Sequence, residues 1–290
     1  MISLIICSRQ LDITQSLKDN ISETIGVEYE LIVIDNSKNQ YSIFQAYNEG
    51  VRRSQYPYLC FMHEDILYHT KDWGKNVIEH FKNDKVGLIG VVGGHYMPDC
   101  PASWWSTECK SGVFIQGYYD KDKDYRNKKY NWENYRKYSE KSLSVAAVDG
   151  LWFCIPRTMF RTISFDDLTF SGFHCYDTDI CIQVLNAGFD VKVVFNILIE
   201  HFSVGNHNQE LLRQKELLYR KWSKYLPIVK GIELTKIEIE DRRIFVEGMN
   251  TLTIECWNLQ NEIKRIQYSK AYRIGKLILR PLKYIQSIIK

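Results

Sequence analysis

The sequence predicts an α/β fold, a mostly parallel sheet flanked by helices, and three observations carry that expectation. Residues 2–7, "ISLIIC", and 31–34, "LIVI", are apolar runs without alternation, the pattern of strands buried on both faces. Between them Ile13, Leu17, Ile21 and Ile25 fall at helical spacing, which makes a β-α-β unit. Polar clusters then close the apolar runs: Ser8 and Arg9, Asp35-Asn36-Ser37, and His63-Glu64-Asp65 after "YPYLCFM". In open sheets of this kind ligands bind outside the carboxyl ends of the strands.

The elements follow in order. A second helix is expected over 41–54, where Ile43, Phe44, Tyr47 and Val51 share a face, then the "YPYLCFM" strand, a helix over 71–82 and a strand over 86–92. Residues 95–142 keep no period and carry the polar run "YYDKDKDYRNKKYNWENYRKYSEK", so a long loop with a short helix is expected. Order returns at 145–155, a strand interrupted by Asp149-Gly150, followed by a helix over 176–187 and a strand over 190–199 that ends at Glu200-His201. A Leu- and Lys/Arg-rich helix spans 209–225 and stops before Pro227 and Gly231. Residues 232–247 alternate like a hairpin with its turn near Asp241, and Leu259, Ile263 and Ile266 then stand at heptad-like spacing.

With 290 residues and 45% hydrophobic content the chain can bury one full core and carry an appendage, so a main domain over 1–230 and a smaller one over 231–290 are expected. The formal charge is +3, yet eight lysines and arginines fall after Glu262 with no acid among them. The remainder is mildly acidic, which argues against nucleic acid as a partner. Eight scattered cysteines without a C-x-x-C pair fit a reducing compartment. The opening "MISLIICS" has no basic leader and is too short to span a bilayer, so a cytoplasmic protein is expected.

Carboxylates and imidazoles at the end of a buried strand are costly unless something pairs with them. The segments "SLIICSR", "ELIVIDNS", "AYNEGVRRSQYPYLCFMHED", "VDGLWFCIPR", "FHCYDTDICIQVLNAGFDV" and "IEHFSVG" occur in that order. Together they resemble a family 2 glycosyltransferase of the GT-A fold. More narrowly they resemble the bacterial subgroup related to a streptomycin-biosynthesis transferase domain, which has His-x-Asp in place of Asp-x-Asp. The likeness covers roughly residues 1–205.

The resemblance implies a nucleotide-diphosphate sugar as donor, a Mn²⁺ or Mg²⁺ ion, and transfer to a saccharide or lipid-linked hydroxyl acceptor with inversion, in surface polysaccharide assembly. It places Asp35 on the nucleoside with Ser8 and Arg9 nearby, and Asn48 and Gly50 along the donor site. Asp65 matches the metal-binding carboxylate, His63 stands where the first Asp would be, and His201 matches a further metal ligand. Asp177 matches the general base, with Tyr176 in place of a Glu. Asp149 could hold a donor-sugar hydroxyl, or pair with an arginine such as Arg157. Read from the residues alone, Asp35-Asn36-Ser37 also fits a turn, and Asp177 a helix-start charge. Trp104 and Trp105 fit sugar stacking or loop anchoring equally well.

The tail "YSKAYRIGKLILRPLKYIQSIIK" sets apolar residues on one face and basic ones on the rest, a pattern for peripheral contact with a membrane surface; a helix packed on a second subunit, with 252–268 as a short coiled coil, fits as well. The exchange of carboxylates for His63 and Tyr176 leaves a non-catalytic nucleotide-sugar-binding scaffold as the alternative. A nucleotidylyltransferase fits less well, because "CSRQLDITQ" lacks the glycine-rich loop.

Overall fold

In this computed structural model residues 1–117, 128–133, 135–136, 140–203 and 208–277 are described. The first unit forms as expected: β1 (Ile2–Ser8), α1 (Gln15–Thr24) and β2 (Tyr29–Asp35), with the Thr14 side chain accepting from the Leu17 N–H at the helix start. α2 (Ile43–Arg53) begins in a reciprocal cap between Ser42 and Gln45 and buries Ile43, Phe44 and Tyr47. β3 (Tyr58–Met62), β4 (Ile66–Tyr68) and α3 (Trp73–His80) come next. The apolar stretch 86–92 then divides into β5 (Val86–Gly90) and β6 (Val92–Gly94), which enter different sheets.

Strands replace much of the loop expected over 95–142: β7 (Tyr96–Met97), β8 (Lys110–Gln116) and β9 (Lys128–Trp132). β8 pairs with β6, β9 and β14, so its conformation comes from distant partners and leaves little periodic trace in sequence. Residues 118–127, part of the polar run, lie outside the described residues. β10 (Ser142–Ser144) precedes the strand expected over 145–155, which divides into β11 (Ala147–Val148) and β12 (Trp152–Pro156), and α4 (Tyr176–Asn186) follows. The strand expected over 190–199 is β13 (Asp190–Val194), separate from β14 (Ile199–His201). α5 (Gln209–Trp222) is capped by Asn208, and β15 (Ile228–Val229) pairs with β7.

The hairpin expected over 232–247 is not formed; α6 (Lys236–Tyr268) runs through it. Thr235 explains the difference: its hydroxyl accepts from the Glu238 N–H, and the Glu238 carboxylate accepts from the Thr235 N–H at 2.8 Å, a T-x-x-E capping box. Glu240 and Arg243 then pair three residues apart along the helix, so the Ile/Glu alternation is the outer surface of a helix turn.

The central sheet has the order β10-β13-β5-β12-β3-β1-β2. β1 is parallel to β2 and β3, and β13 to β5, while β12 runs antiparallel between β3 and β5. A second sheet, β11-β6-β8-β14-β4 with β9 beside β8, brings β14 against the chain that leaves β3. Phe61, Phe153, Phe165 and Tyr47 stack between sheet and α2 with ring centroids 4.9–6.4 Å apart. Burying each such ring stabilises by about 1.5–3 kcal/mol, which holds α2 and the strand ends rigid. The chain forms two compact units, Met1–Arg243 and Ile244–Lys290, and every element of the site described next belongs to the first.

Candidate functional site

Parallel registry sets Ser8 directly beside Asp35 at the ends of β1 and β2. β3 ends two residues earlier in this frame, at Met62, and the His63 N–H still donates to Leu151 O at 2.9 Å, so the ladder fixes the backbone just before the polar cluster. On the other side β14 pairs antiparallel with β4, His201 opposite Ile66, and the Phe202 N–H donates to Asp65 O at 3.0 Å. These two ladders bring residues 63, 65 and 201 together across 138 positions of chain.

His63, Asp65 and His201 present one ligand atom each within 4.8 Å of one another. His63 Nδ1 is 3.3 Å from His201 Nε2 and 3.8 Å from Asp65 Oδ1, and His201 Nε2 is 3.5 Å from Asp65 Oδ1. The opposite edge of His63 is engaged by Tyr176: Nε2 is 2.9 Å from the Tyr176 hydroxyl, which itself reaches Gly150 O at 3.1 Å, an arrangement that accommodates a proton on Nε2. With the proton there, Nδ1 is a bare lone pair facing a second imidazole nitrogen and a carboxylate. Burial, with the neighbouring His201, pushes the His63 pKa down and keeps the neutral, ligating form. Burial pulls the Asp65 carboxyl upward, but the hydrogen bond and charge of His201, and then His63, outweigh it and hold the group well below the usual carboxylate range. Two imidazole nitrogens and one carboxylate oxygen fit a divalent cation with positions left for substrate oxygens, and the nitrogens favour Mn²⁺ over Mg²⁺.

Tyr176 opens α4, and Asp177 follows it. Cys175, at φ 64°, turns the chain so that both side chains face the β12 entrance. Gly150 is required there, since a Cβ would lie 2.1 Å from the Tyr176 hydroxyl. Asp177 is 8% exposed and accepts from Gly150 N at 3.0 Å and Thr178 N at 2.7 Å. Burial, with the charge of Asp149 added, pushes its carboxyl up to about 7 against those donors. Asp149 itself accepts from the Leu151 N–H at 2.7 Å, while Arg157 donates to Ser54, so the Asp149–Arg157 pair is not formed. A hydrogen-bonded path thus runs from His63 through Tyr176 and Gly150 to Asp177.

Two residues that sequence reasoning passed over complete the frame. Glu64, the middle residue of His-x-Asp, accepts from the Ser8 hydroxyl and from the Arg9 N–H at 3.2 Å, tying the β1 end to the β3 end. Tyr176 entered only as a departure from the family pattern. Asp35 is half-buried and accepts from Ser37 N at 2.9 Å, which lowers its pKa through that backbone bond. Asn48 and Gly50 are placed in the scaffold. The Asn48 amide donates to Phe165 O at 2.7 Å and accepts from Phe165 N at 3.2 Å, and a Cβ on Gly50 would lie 2.2 Å from Ile5 Cγ2, so glycine lets α2 settle on β1. Trp104 is buried and Trp105 half-buried, their rings edge to face at 5.9 Å. A cavity of about 640 Å³ lined by Asn48, Phe165, Asp166, Lys221 and Trp222 shares no residue with the His-Asp-His cluster.

A mixed α/β sheet with His-x-Asp at a central strand end and a buried aspartate opening a nearby helix defines a GT-A glycosyltransferase scaffold. Residues 3–227 match the model of the glycosyltransferase-like family, and the chain belongs to that family of transferases. No curated protein matches the sequence. Among solved structures, GalNAc-T7 with UDP, GalNAc and Mn²⁺ is similar at 11% identity and a TM-score of 0.51, over 86% of this chain and 54% of that one. This chain therefore spans about half the length of that relative. The mannosyltransferase PcManGT from Pyrobaculum calidifontis, in complex with GDP-Man and Mn²⁺, aligns at 9% identity over 95% of this chain and 83% of that one, with a TM-score of 0.45.

Proposed function

We propose that the protein transfers a sugar from a nucleotide-diphosphate sugar to an acceptor hydroxyl with inversion, Asp177 serving as the base. The observation that carries this reading is the hydrogen-bonded path joining the His63–Asp65–His201 cluster to a buried carboxyl that titrates near neutrality. A hydroxyl is a weak nucleophile, and a base with a pKa near the working pH takes its proton most effectively as the new bond forms. The acceptor oxygen bonds to the anomeric carbon, the carbon–phosphate oxygen bond breaks, and the hydroxyl proton passes to Asp177. His63, Asp65 and His201 would hold a divalent cation, which neutralises charge on the departing diphosphate. In GalNAc-T7 the same fold accompanies UDP and Mn²⁺.

Asp35, with Ser8 and Arg9, is assigned to the nucleoside, because the registry sets them side by side at the strand ends while the Asp35 carboxylate keeps acceptor capacity. Asp149, within electrostatic reach of both His63 and Asp177, is assigned to a donor-sugar hydroxyl. The His-x-Asp pattern supports placement near the streptomycin-related subgroup, and a basic tail supports action on a lipid-linked or surface saccharide acceptor at the membrane face. Among the described residues no helix is long and apolar enough to cross a membrane, and residues 278–290 of the tail lie outside them.

The test is direct. Purified protein is incubated with Mn²⁺ and a panel of UDP- and GDP-sugars, nucleoside diphosphate release is followed, and the product's anomeric configuration is read by NMR. Release that needs Asp177 and yields the inverted anomer is expected. Binding of nucleotide sugar without any release, across the panel and with saccharide acceptors supplied, would contradict it.

A further inference from the structure

The second unit carries a surface that the sugar-transfer reading does not use. Along α6, Phe245, Met249, Leu252, Cys256, Leu259, Ile263 and Ile266 follow one another at intervals of four and three without a break. Those intervals are the a and d positions of a heptad, sustained over three repeats. Every one of these side chains is exposed, the six other than Cys256 by 48–60%. A helix does not support such a stripe alone: Gly248 sits inside it with nothing within 4 Å, at a cost of about 1 kcal/mol relative to alanine.

We propose that this seam pairs with a second copy of the same chain as a parallel two-stranded coiled coil. Charge decides the occupant and the direction. In the register set by the seam, Glu255 and Glu262 fall at g, and Gln260 and Gln267 at e. Parallel pairing sets Glu255 of one copy beside Gln260 of the other, and Glu262 beside Gln267, an acceptor against an amide donor each time. Antiparallel pairing sets g against g and brings glutamates together, which repels. An anionic lipid surface fits poorly, because the seam, residues 245–266, holds Glu247, Glu255 and Glu262 against only Lys264 and Arg265. Fourteen side chains from two copies bury on the order of 1,000 Å², the threshold for a specific interface. Isoleucine at the a position 263 with leucine at the d positions 252 and 259 is the two-stranded combination, from which Ile266 at d departs.

Cys256 makes the arrangement testable, as the one exposed cysteine among the described residues and an a position on the seam. The full chain in reducing buffer should sediment at twice its 34.3 kDa mass at tens of micromolar. Leu252→Asp with Leu259→Asp should weaken association at least 100-fold while the folded signal of the first unit and its melting stay unchanged. Mild oxidation with copper phenanthroline, which removes two electrons and two protons from two thiols, should give a disulfide-linked dimer that Cys256→Ser abolishes. In antiparallel pairing Cys256 faces Leu252 or Leu259 instead, so a dimer that fails to cross-link overturns the parallel seam. A monomer throughout that range, a dimer that survives the double aspartate variant, or a monomer that pellets with phosphatidylserine vesicles overturns the proposal as a whole.

Discussion

Two carboxylates in one site are driven in opposite directions. Asp65, half-buried, lies between two imidazoles and is held ionised well below the usual range, whereas Asp177, the more enclosed of the two, is pushed up to about 7 by burial and the nearby Asp149. Both are aspartates at the ends of secondary elements, so residue type does not separate them. Their neighbours do: imidazoles favour the charged carboxylate at Asp65, while burial beside the like charge of Asp149 keeps a proton exchangeable near neutral pH at Asp177. The difference teaches that one scaffold obtains a permanent anion and a carboxyl that titrates near neutrality from the same side chain.

The sharpest way to break that contrast is at Asp177. Asp177→Asn removes the proposed base and turns an NH2 group onto either the Gly150 or the Thr178 N–H, and it should lower kcat about 10³-fold with little change in nucleotide binding. The sign of its effect on stability is the reverse. A carboxyl whose folded pKa lies above its unfolded value costs stability increasingly as pH rises from the unfolded pKa to about 7, and the full cost persists above that. Relative to the wild type, Asp177→Asn should therefore be more stable at pH 8 than at pH 4, by about 1–3 kcal/mol in unfolding free energy, as scanning calorimetry at the two pH values can establish.

The next largest effect is expected at the link between the two carboxylates. Tyr176→Phe removes the hydroxyl that fixes His63 and satisfies Gly150 O, so calorimetric Mn²⁺ affinity should drop about 10–100-fold. A variant with unchanged affinity would show that the metal side and the base side are independent.

Much of this frame was legible in the sequence, and the illegible parts have physical causes. The unalternated runs of β1 and β2 and the helical spacing of α2 and α4 report burial that is local in sequence. The family resemblance singled out His63, Asp65, His201 and Asp177, which sit at strand and helix ends, and the structure gathers the first three into one cluster. The work of Glu64 and Tyr176 could not be placed, since the partners of Glu64 lie 55 and 56 residues away and those of Tyr176 26 and 113 residues away. Asn48 reads as a donor-site residue, yet its amide is spent on the Phe165 backbone across 117 positions. The second sheet was hidden because β8 and β9 are half-polar strands defined by distant neighbours. The helix at residue 236 was hidden because an Ile/Glu alternation outweighs a single capping threonine when sequence is read by period.

Smaller effects sharpen the contrast further. Asp149→Asn removes the negative charge beside Asp177, so the acid limb of the rate profile should move to lower pH, by about one unit or less. Ser8→Ala removes one of the two hydrogen bonds that tie Glu64 to the β1 end, leaving the Arg9 N–H, and should cost about 1 kcal/mol of stability, with a modest rise in KM for the nucleotide sugar and an unchanged pH limb.

The most direct measurement is the pH dependence of kcat/KM between pH 5 and 9 at saturating Mn²⁺, on the wild type and on Asp177→Asn. A single-proton rise with its midpoint near 7 in the wild type, absent from the residual activity of the variant, is the expected result. A profile that is flat across the range, or a limb that persists unchanged in Asp177→Asn, would contradict the assignment of Asp177 as the base.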